Sequence, residues 1–198
     1  MRALFLDTET TGLPKDKYVA ADYMIHNWPD IVSISWMVFV DKQMTKKESF
    51  LIQPDGWTIS EEVTKIHGIT HQYAKEEGIS LRNALDIFTD DLESCDVIVA
   101  HNIEFDRNVL LNAYKWRLHM DISFWPYENE FCTATHSKAD LKLPSRQKVV
   151  NLCDPYKIPR LDELYEATFG TVAPKDAHSS DRDVDVLQKI FWERWDIQ

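Results

Sequence analysis

Residues 3–12 read Ala-Leu-Phe-Leu-Asp-Thr-Glu-Thr-Thr-Gly, an apolar run that passes directly into two carboxylates. We interpret residues 3–6 as a first strand that ends at an acidic turn. Side chains two residues apart on a strand point to the same face, so Asp7 and Glu9 are expected to lie side by side. Two such carboxylates repel each other unless a cation lies between them. The pair therefore predicts a cation site, and the plainer alternative is a polar strand end followed by a turn.

A second motif, His-Asn-Ile-Glu-Phe-Asp at residues 101–106, follows the compact apolar run 96–100. This spacing predicts a buried strand and then a helix capped by Asn102. Asp106 falls in the first turn of that helix, where the helix dipole favours a carboxylate. The simpler interpretation is that both side chains only satisfy the start of the helix.

A third motif, His-Ser-Ser-Asp-Arg-Asp at residues 178–183, opens the last predicted helix. On a continuous helix five residues turn by roughly 500°, so His178 and Asp183 would diverge by about 140°. They can act together only if His178 lies on the preceding loop. Ser180 is predicted to cap the helix, which places the helix start between them. Otherwise, Asp183 is a cap partner and His178 is an ordinary loop histidine.

The remaining pattern predicts an α/β sandwich in which an antiparallel meander joins parallel strands in one mixed sheet. Residues 30–40 are interpreted as a buried central strand and 48–52 as its hairpin partner. Helices are predicted after Ser60, ending at Gly68, after Ser80, and over 161–169, ending at Gly170. Residues 131–134 are a candidate edge strand, and 141–159 are predicted to be irregular. The last helix carries a core stripe: Val184, Leu187, Phe191 and Trp195.

Composition indicates one soluble globular domain over residues 1–198, since 44% of the residues are hydrophobic, 28% are charged, and no repeat or linker is visible. No apolar stretch is long enough for a membrane span. A charge follows the start of the chain too soon for a signal-peptide core. The three cysteines, Cys95, Cys132 and Cys153, form no CxxC pair. They predict free thiols in a reducing cytoplasm and argue against a zinc site.

The formal net charge of −11 is unusual for a protein that binds phosphates. Residues 136–160 nevertheless carry six basic and two acidic side chains, a local net charge of +4 that leaves −15 for the remainder. This basic stretch is either an ordinary solvated surface or a strip that guides a polynucleotide.

The three motifs resemble those of the DEDDh exonucleases. This DnaQ-like group includes the proofreading epsilon subunit of DNA polymerase III, ribonuclease T and oligoribonuclease. Its motifs read Asp-x-Glu-Thr-x-Gly, His-Asn-x-x-Phe-Asp and His-x-Ala-x-x-Asp, and the segment Ile66-His67-Gly68-Ile69-Thr70 also matches a familiar stretch of the group. The resemblance extends over residues 4–187. One departure is Ser180, which stands where the third motif usually has Ala.

The resemblance implies a ribonuclease H-like α/β fold, with a mixed, mostly five-stranded sheet flanked by helices. It implies five catalytic residues: Asp7, Glu9, Asp106, His178 and Asp183. The four carboxylates would hold two divalent cations, Mg²⁺ or Mn²⁺, which prefer oxygen ligands. His178 would be the general base. Residues implied near the terminal nucleotide are Thr10, Thr11, Gly12, Ile66, His67, Asn102 and Phe105.

The implied activity is 3′-5′ exonucleolytic hydrolysis of DNA or RNA that releases nucleoside 5′-monophosphates. DNA is favoured slightly, and the resemblance connects the chain with repair and proofreading. The alternatives are an exoribonuclease and a catalytically silent module that binds nucleic acid or a polymerase. The expected partners are single-stranded 3′ ends, with a polymerase or a second copy of the chain as a further partner, and no membrane.

Overall fold

The computed structural model describes residues 1–145, 155–174 and 179–195. These ranges contain one mixed five-stranded sheet, as predicted, and its strand order is β3-β2-β1-β4-β5. β1 to β3 form an antiparallel meander, whereas β1, β4 and β5 run parallel. The strands are β1 (Arg2–Thr10), β2 (Ile31–Val40), β3 (Gln43–Leu51), β4 (Val97–Ala100) and β5 (Glu130–Cys132). The α-helices are α1 (Glu61–His67), α2 (His71–Glu77), α3 (Leu81–Leu92), α4 (Ile103–Asn112), α5 (Thr133–Leu141), α6 (Leu161–Phe169) and α7 (Ser180–Arg194).

Alternation along β1 assigns its side chains to the two faces of the sheet. Ala3 and Phe5 pack in a buried cluster that contains the apolar residues of α7. Leu4 and Leu6 belong to the larger cluster on the other face, which α3 and α4 cover. Continuing this alternation places residues 7 and 9 on the face of α7 and Thr8 on the face of α4.

β2 extends this arrangement to a second strand, since nine of its ten residues are buried. Its register with β1 sets Ser35 opposite Asp7 and Ser33 opposite Glu9. Residues directly opposite in an antiparallel pair point to the same face. The face toward α7 therefore has an apolar half, which includes Met37, and a polar half of two carboxylates and two serines.

Two predicted strand boundaries are wrong. β1 does not end in an acidic turn at Leu6, because its pairing with β2 continues to Thr10. β3 begins at Gln43, five residues before the predicted start, because its polar and largely exposed first half is hydrogen-bonded to β2. In both places, backbone pairing holds residues extended whose side chains lack a strand pattern.

The helix predictions hold at several caps and fail at two. Ser60 and Gly68 bound α1 as expected, with Gly68 in the left-handed conformation at φ 78°. Asn102 makes no side-chain cap on α4. It instead adopts φ 74°, a conformation that asparagine tolerates better than most residues. The cap of α7 is Ser179 rather than Ser180, because the hydroxyl of Ser179 accepts from the amide of Arg182.

The sequence reading missed two helices, α2 and α5. α5 begins directly after the edge strand β5, which is shorter than predicted because residues 133 and 134 are already helical. Of the segment predicted to be irregular, residue 141 ends α5 and residues 146–154 lie outside the described residues.

Cys95 and Cys132 are free thiols, as expected, while Cys153 lies outside the described residues. Among the described helices none combines the length and apolar character that crossing a bilayer would require.

Candidate active site

Three carboxylates meet at the polar half of the sheet face under α7. Asp7 and Glu9 come from β1, and Asp183 comes from the first turn of α7. One carboxylate oxygen from each lies within 4.8 Å of the corresponding oxygens of the other two. The structure thus brings together three of the four carboxylates that the sequence singles out, through one strand and one helix whose closest ends are 170 positions apart in the sequence.

Asp106 reaches the same region from the other side of the sheet, on the first turn of α4. Its Oδ1 accepts hydrogen bonds from the amide of Thr8 at 3.1 Å and from the hydroxyl of Thr8 at 2.8 Å. Asp106 does not belong to the group of three carboxylates whose oxygens lie within 4.8 Å of one another. Sequence reasoning overlooked Thr8, although its place between Asp7 and Glu9 already put it on the opposite face.

Burial and mutual repulsion raise the pKa values of these carboxyls. The pKa of Asp7 lies well above its usual range because of burial and the charges of Asp106, Asp183 and Glu9. Burial and the charges of Asp183 and Asp106 raise the pKa of Glu9 to about 7. Burial also raises the pKa of Asp106 to about 7, although the two bonds from Thr8 oppose that rise. The cluster is therefore costly to ionise without a counter-charge.

This donor set fits a hard divalent cation, because such ions take carboxylate oxygens and their charge offsets the repulsion. Arg182 supplies a positive charge at one edge, since its Nη1 lies 2.5 Å from Oδ1 of Asp183. The same guanidinium donates through Nη2 to the carbonyl of Pro174. Asp7, Glu9 and Asp183 are the residues that could hold an ion directly.

His178, the predicted general base, lies outside the described residues, so its role stays a prediction. The following residue, Ser179, caps α7. This boundary agrees with the expectation that the helix begins after His178.

Hydrogen bonds hold the Thr-Thr-Gly segment at residues 10–12, after the carboxylates, in a defined turn. The hydroxyl of Thr10 donates to the carbonyl of Gly12 at 2.7 Å. Thr11 exchanges two bonds with Asp30, from its amide to the carbonyl at 2.9 Å and from the amide of Asp30 to its hydroxyl at 3.0 Å. Gly12 has φ +150°, which residues with a Cβ rarely adopt. Arg117 holds the carboxylate of Asp30 through two bonds of 2.7 Å each.

Two depressions adjoin this turn. The larger, of about 680 Å³, is lined on one side by the loop after Gly12, with Leu13 and Tyr18, and on the other by Asn102 and Phe105. The smaller, of about 250 Å³, lies on the side of Thr11 and Gly12. Four of the seven predicted nucleotide-binding residues thus line these two surfaces: Thr11 and Gly12 the smaller, and Asn102 and Phe105 the larger.

Ile66 and His67 at the end of α1 differ in exposure. Ile66 is 60% exposed, whereas His67 is buried. Nδ1 of His67 accepts from the amide of Ile69 at 3.0 Å, and burial lowers its pKa. His67 is therefore neutral at pH 7 with its proton on Nε2, an atom that has no hydrogen-bond partner among the described residues.

His101, the first residue of the second motif, has a structural position. Its Nε2 donates to the carbonyl of Pro159 at 3.0 Å, so Nδ1 is free to accept from the hydroxyl of Thr133, also at 3.0 Å. The imidazole thus links the end of β4 to the start of α5 and to the segment before α6.

Comparisons with known proteins give the same assignment as the motifs. A family model described as RNase_T, exonuclease, matches residues 4–191. The DNA polymerase III subunit epsilon of Buchnera aphidicola is 26% identical over 160 residues, covering 79% of this chain and 62% of that protein.

Solved structures share the fold. Exonuclease I of E. coli in complex with a dT13 oligonucleotide has a TM-score of 0.67 and 19% identity over 96% of this chain and 40% of that chain. Exonuclease I from Methylocaldum szegediense has a TM-score of 0.70 and 17% identity over 98% of this chain and 40% of that chain. The chain therefore spans about two fifths of the length of these structures. Their likeness confirms the predicted ribonuclease H-like fold, and the family match over nearly all of the described sheet and helices shows that the chain belongs to the exonuclease family.

Proposed function

We propose that this chain is a divalent-metal-dependent 3′-5′ exonuclease that shortens single-stranded nucleic acid and releases nucleoside 5′-monophosphates. The observation that carries the proposal is the convergence of Asp7, Glu9 and Asp183 within 4.8 Å at the end of the polar sheet face. Membership of the exonuclease family supports the reaction class.

The carboxylates would bind Mg²⁺ or Mn²⁺, and two such ions would supply Lewis acids that offset the charge of the phosphodiester. Asp7, Glu9 and Asp183 provide the oxygens for one ion. Asp106 completes the proposed set: two bonds from Thr8 hold its Oδ1, and Oδ2 is the proposed ligand. The low-dielectric setting that raises these pKa values also strengthens their attraction to a cation.

His178 is the proposed general base, because an unperturbed imidazole has a pKa of about 6.5 and can accept a proton from the attacking water near neutral pH. In the sequence His178 directly precedes Ser179, the cap of the helix that carries Asp183. His178→Ala should lower turnover sharply and leave metal binding intact, measured by single-turnover kinetics and by titration calorimetry with Mn²⁺. Turnover equal to wild type would remove His178 from this role.

The larger depression supports a single strand as substrate. Leu13 and Tyr18 on its rim are 82% and 86% exposed, and Lys17 lies over the ring of Tyr18, with Nζ 5.1 Å from its centroid. Exposed rings with nearby cations stack on unpaired bases with little dependence on sequence. The oligonucleotide in the E. coli structure agrees with this choice, and we favour DNA slightly over RNA. The similarity to subunit epsilon makes a polymerase a proposed partner.

The test uses 5′-labelled single strands of DNA and RNA with one sequence, and a DNA duplex, each with Mg²⁺ or Mn²⁺. We expect a ladder of products shortened from the 3′ end and release of mononucleotides that carry a 5′ phosphate. No ladder from any substrate would leave the silent module as the better account. Faster shortening of RNA than of DNA would select the exoribonuclease.

Asp7→Asn is the matched loss-of-function variant, because it keeps the shape of the side chain and removes its charge. It should abolish both the ladder and tight Mn²⁺ binding. Asp90→Asn is the control, since Asp90 is an exposed residue of α3 and its replacement should change neither. Activity that persists in the Asp7 variant would show that the ladder comes from a contaminating nuclease.

A further inference from the structure

We propose that Ser33, Ser35 and Ser180 form a positioning device that sets α7 on the sheet at the height where Asp183 meets Asp7 and Glu9. In this scheme the three serines act through the placement of α7 and are neither metal ligands nor substrate contacts. The inference rests on the proposed function only in that the carboxylates hold a divalent cation.

The three hydroxyls form a buried cluster. Ser180 is 2% exposed and belongs to the first turn of α7, while Ser33 and Ser35 are buried on β2. The Oγ of Ser180 lies 3.0 Å from that of Ser33 and 2.7 Å from that of Ser35. Ser35 is also 2.9 Å from the Oγ of Ser49 on β3. Buried hydroxyls at these distances are directional contacts, which apolar packing alone does not provide.

The register of the sheet makes this cluster the neighbour of the carboxylates. Ser35 is paired with Asp7, and Ser33 is paired with Glu9. Each carboxylate of β1 thus has a hydroxyl beside it on the same face, and Ser180 bonds to both hydroxyls. Any shift of α7 along the sheet by one residue pair would break at least one of these bonds.

Helix geometry carries this placement to the metal site. Ser180 and Asp183 are three residues apart, so they are separated by about 300° of rotation and about 4.5 Å of rise and lie on one side of the helix. Farther along α7, Val184, Leu187 and Phe191 pack on the apolar half of the sheet face. Apolar packing tolerates small sliding, whereas the hydroxyl contacts define a single height for the first turn.

A second tie between the sheet and α7 lies on the surface. Lys47 of β3 forms ion pairs with Asp181 at 2.9 Å and with Asp185 at 2.8 Å. Side chains exposed to solvent hold such pairs weakly. The buried serines are therefore the stronger determinant of where the helix begins on the sheet.

The device is a property of this chain's serines. Position 180 is the one at which the third motif departs from the Ala of the family pattern, and an Ala has no hydroxyl to offer. The departure is matched by two serines at the facing positions of β2.

The test measures Mn²⁺ binding to the full chain by titration calorimetry at pH 8, together with kcat and KM on single-stranded DNA. Ser180→Ala should raise the Kd for Mn²⁺ about three- to tenfold, the range expected for lost buried hydrogen bonds, and should lower kcat more than it changes KM. The double variant Ser33→Ala/Ser35→Ala breaks the same contacts from the other side and should have a similar effect. The triple variant should be no worse than either.

Ser137→Ala is the control, because Ser137 is fully buried and, within the part of the chain that the structure describes, its hydroxyl bonds to backbone carbonyls of its own helix, α5. It should leave Mn²⁺ binding and kcat unchanged. Urea unfolding of every variant separates misplacement of α7 from loss of the fold.

Three outcomes would overturn the proposal: serine variants that lose stability but keep the wild-type Kd and kcat, additive effects in the triple variant, or a wild-type chain that does not bind Mn²⁺. Mn²⁺ binding that depends on Ser180 without any release of nucleotides would refute the proposed exonuclease function and support the positioning device.

Discussion

Replacing Glu9 by Gln should stabilise the metal-free protein at alkaline pH. Burial and neighbouring charges raise the pKa of Glu9 from its ordinary 4.5 to about 7 in the folded chain. The folded state therefore holds a proton that the unfolded state releases, and stability falls as the pH rises from about 4.5 to about 7. Because each unit of pKa shift corresponds to about 1.4 kcal/mol, the ionised Glu9 lowers the free energy of unfolding by up to about 3 kcal/mol above pH 7.

The uncharged amide of the variant avoids that penalty. In EDTA at pH 8, the free energy of unfolding of Glu9→Gln should exceed that of wild type by up to about 3 kcal/mol. For a chain of this size, the difference corresponds to a rise in Tm of about 6–12 °C. At pH 5 the difference should shrink to about 1 kcal/mol or less, because this pH lies only a little above the unfolded pKa of 4.5 and Glu9 is still mostly protonated in the folded state. Urea denaturation at both pH values measures the effect. Glu166→Gln, an exposed change on α6, is the control and should be neutral at both.

A saturating divalent cation should remove most of the variant's advantage in stability. At 100 times its Kd, an ion that binds only the folded state adds about 2.7 kcal/mol to wild type, whereas the Glu9 variant has lost a ligand and gains less. Equal stability of the two proteins at pH 8 in EDTA, or a variant that gains as much from Mg²⁺ as wild type, would refute this account of the cluster.

Three further changes test other parts of the structure. Thr8→Val removes the hydroxyl bond to Asp106 and should lower the free energy of unfolding in urea by about 1.5–3 kcal/mol at pH 8. The loss should be smaller at pH 5, because Asp106 is then protonated. An equal loss at both pH values would contradict this prediction. Arg117→Met frees the carboxylate of Asp30, which braces the turn after β1, and should raise KM for single-stranded DNA about fivefold with kcat nearly unchanged. An effect confined to kcat would argue against it. Phe88→Ala empties a fully buried site against the sheet and should cost about 3–5 kcal/mol by urea denaturation, whereas a loss below 1 kcal/mol would show that the cluster collapses around it.

Local sequence was sufficient where one segment determines its own structure. Ser60 and Gly68 bound α1 because a hydroxyl cap and a left-handed glycine act within a single turn. The period of two that puts Asp7 and Glu9 on one face is likewise a property of the strand itself. The error at Asn102 shows the limit of this reasoning, since residue type alone did not reveal that its backbone, rather than its side chain, would turn the chain into α4.

Long-range contacts decided what local patterns missed. β1 runs four residues beyond its predicted end because β2 pairs with it there. α2 and α5 escaped notice because short helices without a strong apolar stripe depend on their caps and packing more than on propensity. Thr8 could be assigned a role only once α4 was seen to bring Asp106 against it.

The sequence by itself determined the family and the class of fold, and it predicted the set of carboxylates, because these depend on residue types and short spacings that survive without knowledge of the fold. Only the tertiary structure decided that Ser33 and Ser35 stand beside those carboxylates and that Ser180 reaches both serines. The physical reason is that strand register and helix docking arise from contacts between residues that are distant in the sequence: Asp7 and Ser35 are 28 positions apart, and Ser35 and Ser180 are 145 positions apart. No local pattern specifies which distant hydroxyl will face which strand.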